Sequence, residues 1–197
     1  MHFEPTQIPV GEETIHLRYA REVEIREKPA YWASLWPASL ALAEHVLDGE
    51  ALPGKQVLEI GCGCGLAGIA AGMQGAEVTV TDLEPEALKL AEENWRRNGL
   101  EPAALEPMNW NHPGTRSPFD LILAADVLYD PKEFPGLIQS IHLLLDAEGC
   151  LLLSEPGRPQ ARDFFAGVLQ AGFQVESCHR VVSLHGEEYE ITVSEIR

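Results

Sequence analysis

Three acids and a run of glycines stand where residue type and spacing could do chemistry. Glu59 opens the loop Glu59-x-Gly61-x-Gly63-x-Gly65, and Asp82 follows 82 − 59 = 23 residues later. Asp126 and Tyr129 come directly after the strongly apolar run 119–125, and Asn109-Trp110 stand between these groups. Glycines at alternate positions let the backbone approach a ligand closely, because no Cβ stands in the way. Carboxylates beside such a loop attract hydroxyls and cationic amines and repel a pyrophosphate.

The same loop can be framed as Gly63-x-Gly65-x-x-Gly68, a literal GxGxxG. Asp82 then lies 82 − 63 = 19 residues on, about where a dinucleotide site keeps its ribose-binding acid. The two frames imply different cofactors. An acid at Glu59 suits S-adenosylmethionine, which carries a sulfonium, an α-amine and a carboxylate. The glycines would admit its methionine part, and Asp82 would take the two ribose hydroxyls. A nicotinamide oxidoreductase is the competing reading; Glu59 counts against it, and so does the lack of residues for a second, substrate domain. A glycine turn that merely joins strand to helix is the third.

The elements needed to position these residues can be read from periodicity. Residues 57–60 suit a buried strand, 66–73 carry helical apolar spacing, and 77–81 resume as a β-branched run, giving a βαβ unit. Before it, Ile15, Leu17 and Tyr19, then Val23 and Ile25, alternate as an edge pair or hairpin. Pro37 opens a helix with the stripe Leu40, Ala43, Val46 and Leu47; Pro85 opens another with Leu88, Ala91 and Trp95. Strands follow at 104–108, 119–125 and 149–154. Asp130, Pro131 and Glu133 supply an N-cap, an N1 proline and a capping-box acid for a helix reaching about 145. A helix at 159–171 precedes an antiparallel pair, 173–178 and 189–196, around Gly186.

These elements predict an α/β fold: a doubly wound, Rossmann-like seven-stranded sheet with an antiparallel final strand and an N-terminal β-hairpin. One domain is expected over 1–197, with 1–35 as hairpin and arm and 36–197 as the cofactor-binding core. Glu59, Asp82, Asn109-Trp110 and Asp126 all fall beyond the carboxyl ends of strands, where open α/β sheets bind ligands.

Composition narrows the partners. Fourteen basic against 31 acidic residues give a net charge of −17. Such a surface disfavours nucleic acid and anionic membranes and favours a basic protein or a cationic small molecule. The four cysteines have no metal spacing and read as small buried residues in a reducing compartment. His112, His142 and His179 are scattered, so no metal is expected. The first residues lack a basic n-region and an apolar h-region, and no apolar run reaches the ~20 residues of a membrane span. A cytoplasmic protein is expected.

Taken together, Leu35-Trp36-Pro37-Ala38 with its helix, the Glu59–Gly65 loop, Asp82, Asn109-Trp110 and Ala125-Asp126-Val127-Leu128-Tyr129 resemble methyltransferase family 16. That family contains protein-lysine methyltransferases of the seven-strand type, and the resemblance covers nearly the whole chain. It implies cofactor contacts at Trp36, Gly61, Cys62, Gly63, Asp82, Trp110 and Ala125, besides Glu59 and Gly65 of the loop. It also implies a substrate-side role for Asp126 and Tyr129. Glu155-Pro156-Gly157-Arg158 is similar to the Asp-Pro-Gly-Arg stretch of the electron-transfer-flavoprotein β-subunit lysine methyltransferases, with Glu155 replacing the Asp. Asn109 stands where many relatives carry an acid near the adenine; its amide oxygen can still accept a hydrogen bond.

The expected activity is therefore S-adenosylmethionine-dependent N-methylation of a lysine on a partner protein. A small-molecule methyltransferase and a non-catalytic cofactor-binding module are the alternatives, and the sequence does not specify an oligomeric state. One tension accompanies the lysine reading. A carboxylate at Asp126 would raise a nearby amine above its reference pKa of ~10.4, opposing the deprotonation that attack requires. Asp126 is thus expected to orient the amine, with its proton lost to water or on desolvation.

Overall fold

The structure is a computed structural model that describes residues 3–21, 30–101, 103–114 and 118–197. Its centre is a seven-stranded sheet built from β3 (Gln56–Ile60), β4 (Glu77–Asp82), β5 (Ala104–Pro107), β6 (Phe119–Ala125), β7 (Leu145–Glu155), β8 (Val175–Leu184) and β9 (Glu187–Ile196). The spatial order is β5-β4-β3-β6-β7-β9-β8. Strands β3 to β7 run parallel, and β9 inserts antiparallel between β7 and β8. His185 and Gly186, both in the left-handed region, turn β8 directly into β9.

Period-2 alternation explains how the sheet is covered. Val57, Leu121, Leu123 and Leu152 face a core that includes α1 (Pro37–Asp48), α2 (Leu66–Met73) and α3 (Pro85–Arg97). Their neighbours Leu58, Ile60, Ile122, Leu151 and Leu153 face a second core with α4 (Phe134–Leu144) and α5 (Ala161–Gln170). Helices on both faces and crossovers between parallel strands make the doubly wound arrangement expected from the sequence. Among the described residues, no helix is long and apolar enough to cross a membrane.

The N-terminal hairpin differs from the sequence reading in its partner strand. β2 (Glu13–Tyr19) pairs with the preceding β1 (Glu4–Val10), with Ile8 opposite Ile15 and Thr6 opposite Leu17. Pro5 and Pro9 disguise β1 as a non-strand, since proline removes ladder donors; a two-stranded ribbon tolerates them because each strand has a free edge. Val23 and Ile25 lie outside the described residues. The hairpin packs on α3, where Asn94 and Asn98 use their side-chain amides as strand mimics. Asn98 meets the N–H and C=O of His16, and Asn94 meets those of Arg18.

Candidate active site at the carboxyl ends of β3, β4 and β6

The turn after β3 is shaped by Gly61, Gly63 and Gly65, with φ of 65°, 52° and 81°. This left-handed zigzag is costly for any residue with a Cβ. Space is as restrictive as conformation: a Cβ on Gly61 would lie 3.3 Å from Val127 and 3.4 Å from the Trp110 ring. On Gly63 it would lie 3.1 Å from the Trp32 carbonyl oxygen. The loop is therefore walled by the segments before α1, after β5 and after β6. Gly65 performs a packing task instead, since its Cβ would meet Ala91 of α3 at 3.0 Å.

Asp82 ends β4 beside that loop. Its carboxylate accepts the Gly63 N–H at 3.0 Å and the Glu84 N–H at 2.9 Å. Burial pushes its pKa up, and those two donors pull it partly back. Trp36 precedes Pro37 of α1 and donates its indole N–H to the Tyr31 carbonyl at 3.0 Å. Trp110 donates its indole N–H to Glu133 at 3.1 Å, and the Asn111 amide donates to the same Glu133 oxygen. Glu133 is thus not a capping-box acid. Its side chain instead holds the Asn109–Asn111 turn, while Asp130 caps alone by accepting the Lys132 N–H at 3.0 Å.

After β6 the chain turns at Asp126, a non-glycine residue with φ of 56°. Such strain persists only where surrounding contacts fix it. Here the contact is Arg158, whose Nε donates to Oδ1 at 2.9 Å while its terminal nitrogen reaches both oxygens, at 2.7 and 2.8 Å. The Asp126 side chain is 9 % exposed and that of Arg158 32 %. Burial pushes the Asp126 pKa up, and Arg158 opposes that shift. Arg158 is itself aimed by buried Glu155, whose carboxylate accepts the N–H groups of Gly157 and Arg158, each at 2.8 Å. Tyr129 sets its ring edgewise to Trp110, 6.2 Å between centroids.

These groups enclose a cavity of about 810 Å³. All the residues expected at the site line it except Glu59 and Gly65. Glu59 is 3 % exposed and points at α2 beneath the loop, because alternation along β3 places it on the face opposite Leu58 and Ile60. Burial pushes its carboxyl up to about 8; the N–H groups of Gly68 and Ala67 offset this only in part.

Sequence reasoning missed several wall residues. Trp32, Tyr31, Leu83, Glu133 and Arg158 line the cavity as well. Of these only Arg158 carried a sequence signal, in the Glu-Pro-Gly-Arg stretch. Two of the cysteines are buried as expected and Cys178 departs from expectation. Cys62 and Cys64 are buried, Cys150 is partly buried, and Cys178 is exposed on β8. Burial drives the Cys64 thiol up to about 12 and Cys62 well above its ordinary value, so both stay neutral. No cluster of three or more His, Cys, Asp or Glu side chains suited to a metal occurs among the described residues.

Comparison with known proteins agrees with this geometry. The electron transfer flavoprotein beta subunit lysine methyltransferase of Danio rerio is 37% identical over 136 residues, covering 68% of this chain and 52% of that protein. The protein N-lysine methyltransferase METTL21A of Danio rerio is 35% identical over 155 residues, 75% of this chain and 71% of that protein. The histone-arginine methyltransferase METTL23 of Homo sapiens is 33% identical over 118 residues, 56% and 62% of the two chains. The chain spans about half the length of the flavoprotein-subunit methyltransferase that it matches. Among solved structures, the ribosomal protein L11 methylase of Lactobacillus delbrueckii subsp. bulgaricus superposes with a TM-score of 0.63 at 24% identity, covering 80% of this chain and 77% of that one. Magnesium protoporphyrin IX methyltransferase of Synechocystis PCC 6803 gives 0.64 at 19% identity, covering 81% and 77%. Those two share the fold. Residues 22–171 match the lysine methyltransferase family, and the chain belongs to that family.

Proposed function

We propose that this chain binds S-adenosylmethionine and methylates the side-chain amine of a lysine on a partner protein. The observation that carries the reading is one continuous cavity with the glycine loop and Asp82 in one part of its wall and Asp126 with Tyr129 in another. The residues fit the cofactor. Asp82 keeps lone pairs for ribose hydroxyls after accepting its two backbone N–H groups. Trp36 and Trp110 offer flat apolar walls for a purine. The lining acids Asp82, Glu84, Asp126, Asp130 and Glu133 would repel a pyrophosphate, and the cation Arg158 is already committed to Asp126.

When bound, the sulfonium supplies an activated methyl group. The protein then has to deliver a neutral amine in line with it and exclude water. Asp126 accepts a hydrogen bond from that amine, and Tyr129 lies against its alkyl stem. Tyr31, Leu83 and Tyr129, exposed by 57%, 61% and 56%, give the cavity mouth an apolar rim suited to a docked protein. The zebrafish relatives are lysine methyltransferases by name, which supports a lysine acceptor, and the −17 charge supports a basic partner.

The test is incubation with isotopically labelled S-adenosylmethionine and a cell extract, followed by mass spectrometry. Label on a lysine of a protein supports the proposal. Label confined to arginine or to small molecules, or no transfer at all, would overturn it.

A further inference from the structure

The pairing of Asp126 with Arg158 bears on how a lysine could lose its proton here. An unpaired carboxylate in a partly buried site is a trap for an ammonium ion, because it stabilises the charged form that cannot attack. In this protein the carboxylate is not unpaired. Three N–H bonds from one guanidinium, at 2.7 to 2.9 Å, engage both of its oxygens. Arg158 is the one cation among the described residues lining the cavity, and Glu155 fixes the backbone from which it reaches.

We infer that Arg158 is a positioning residue for methyl transfer: by neutralising Asp126 it makes the acceptor subsite select the neutral amine over the ammonium. This rests on the methyltransferase reading and deepens it. The lysine ammonium gives its proton to bulk water before entry. The neutral amine then donates a hydrogen bond to a carboxylate lone pair left free by Arg158, keeping its own lone pair for the methyl group. Lysine could not do the same work, since an ammonium is a point donor whereas the guanidinium fork spans both oxygens.

Other ionisable groups face this region from neighbouring elements: Asp82 at the end of β4 and Glu84 just after it, Tyr129, Asp130 and Glu133 after β6, and Glu155 at the end of β7. All but Tyr129, whose phenol is kept neutral by burial and the neighbouring carboxylates, are carboxylic acids, so removing Arg158 leaves acids and no cation around the subsite. The cavity thiols Cys62 and Cys64 remain neutral.

The probe is n-butylamine, which reproduces the end of a lysine side chain, titrated by NMR into protein saturated with S-adenosylhomocysteine. For the wild type, the apparent amine affinity rises about tenfold per pH unit from pH 8 towards the amine's pKa, following the neutral fraction. In Arg158→Gln the slope flattens and affinity at pH 8 rises at least about tenfold, because the freed carboxylate binds the ammonium. Glu59 ionises across the same window in both proteins, so their difference isolates Arg158. Should Arg158→Gln fail to fold, Arg158→Lys replaces it and gives a slope between the two.

Equal slopes and affinities in wild type and variant would overturn the inference. So would a wild-type affinity that does not change with pH. Failure of the wild type to bind S-adenosylhomocysteine is a separate result, seen before any amine is added, and would overturn the methyltransferase reading together with this inference.

Discussion

The carboxylate of Glu59 occupies the space that a side chain at Gly68 would need: a Cβ there would lie 2.5 Å from Oε2. The third glycine of the apparent GxGxxG thus makes room for a buried acid. Gly68→Ala should lower stability by about 1–3 kcal/mol through overpacking, although alanine is the better helix former. In a Glu59→Ala background the same change should cost nothing. Thermal unfolding of the four proteins measures the coupling, and additive effects would refute the contact.

Glu59 also makes stability depend on pH. Its folded pKa of about 8 exceeds the ordinary 4.5, so the folded state holds the proton more tightly. The sign follows: its contribution is full below pH 4.5 and is lost as pH rises through 8, at up to about 1.4 kcal/mol per unit. Glu59→Gln should show a flatter dependence of Tm between pH 5 and 9 than the wild type. Parallel curves would mean that the carboxyl is ionised at little cost.

Asp82→Asn keeps the size of the side chain but replaces one acceptor oxygen with a donor, next to two N–H groups it now satisfies. Loss of a charge-assisted bond to ribose, with the loop loosened, should weaken S-adenosylmethionine binding by about 10–100-fold. Isothermal titration decides this. An unchanged affinity would mean that the ribose is held elsewhere.

Asn94 joins the hairpin to the cofactor loop. Its amide accepts from Arg18 N–H at 2.6 Å and donates to the carbonyls of Arg18 at 3.0 Å and Cys64 at 2.9 Å. Asn94→Ala leaves buried backbone groups without partners and should cost about 3 kcal/mol in denaturant unfolding. Hydrogen exchange at Arg18 should speed up in parallel. A loss below about 0.5 kcal/mol would show that water replaces the amide.

Local patterns made the sheet, its order of elements and part of the cavity wall legible. The βαβ unit and the residues just past each strand follow from periodicity and loop position, so Asp82, Trp110 and Asp126 fall in the cavity as expected. The misreadings share a cause: tertiary contacts chose between locally equivalent options. Alternation puts Glu59 on the face opposite Leu58 and Ile60, and that this face meets α2 beneath the loop and not the cavity is set by tertiary packing. Glu133 satisfies a capping rule on paper, yet Trp110 and Asn111 claim its carboxylate. Arg158 meets Asp126 from 158 − 126 = 32 residues away, across an intervening helix and strand, a separation no periodicity encodes.

Asp126 lies at the meeting point of these contacts and gives the most direct functional test. Its carboxylate is engaged by Arg158, and its backbone N–H donates to Ser154 at 2.9 Å, so the turn is held from both sides. Asp126→Ala removes the acceptor for the incoming amine and leaves the Asp82 side of the cavity intact. Cofactor affinity should stay within about threefold, while methyl transfer to protein falls about 100-fold, as expected when the nucleophile is no longer aligned. Titration with S-adenosylhomocysteine and transfer from labelled cofactor read the two quantities separately. Undiminished transfer would remove Asp126 from the chemistry. A collapse of cofactor binding would instead make its role structural, propagated through the left-handed turn that its pairing with Arg158 maintains.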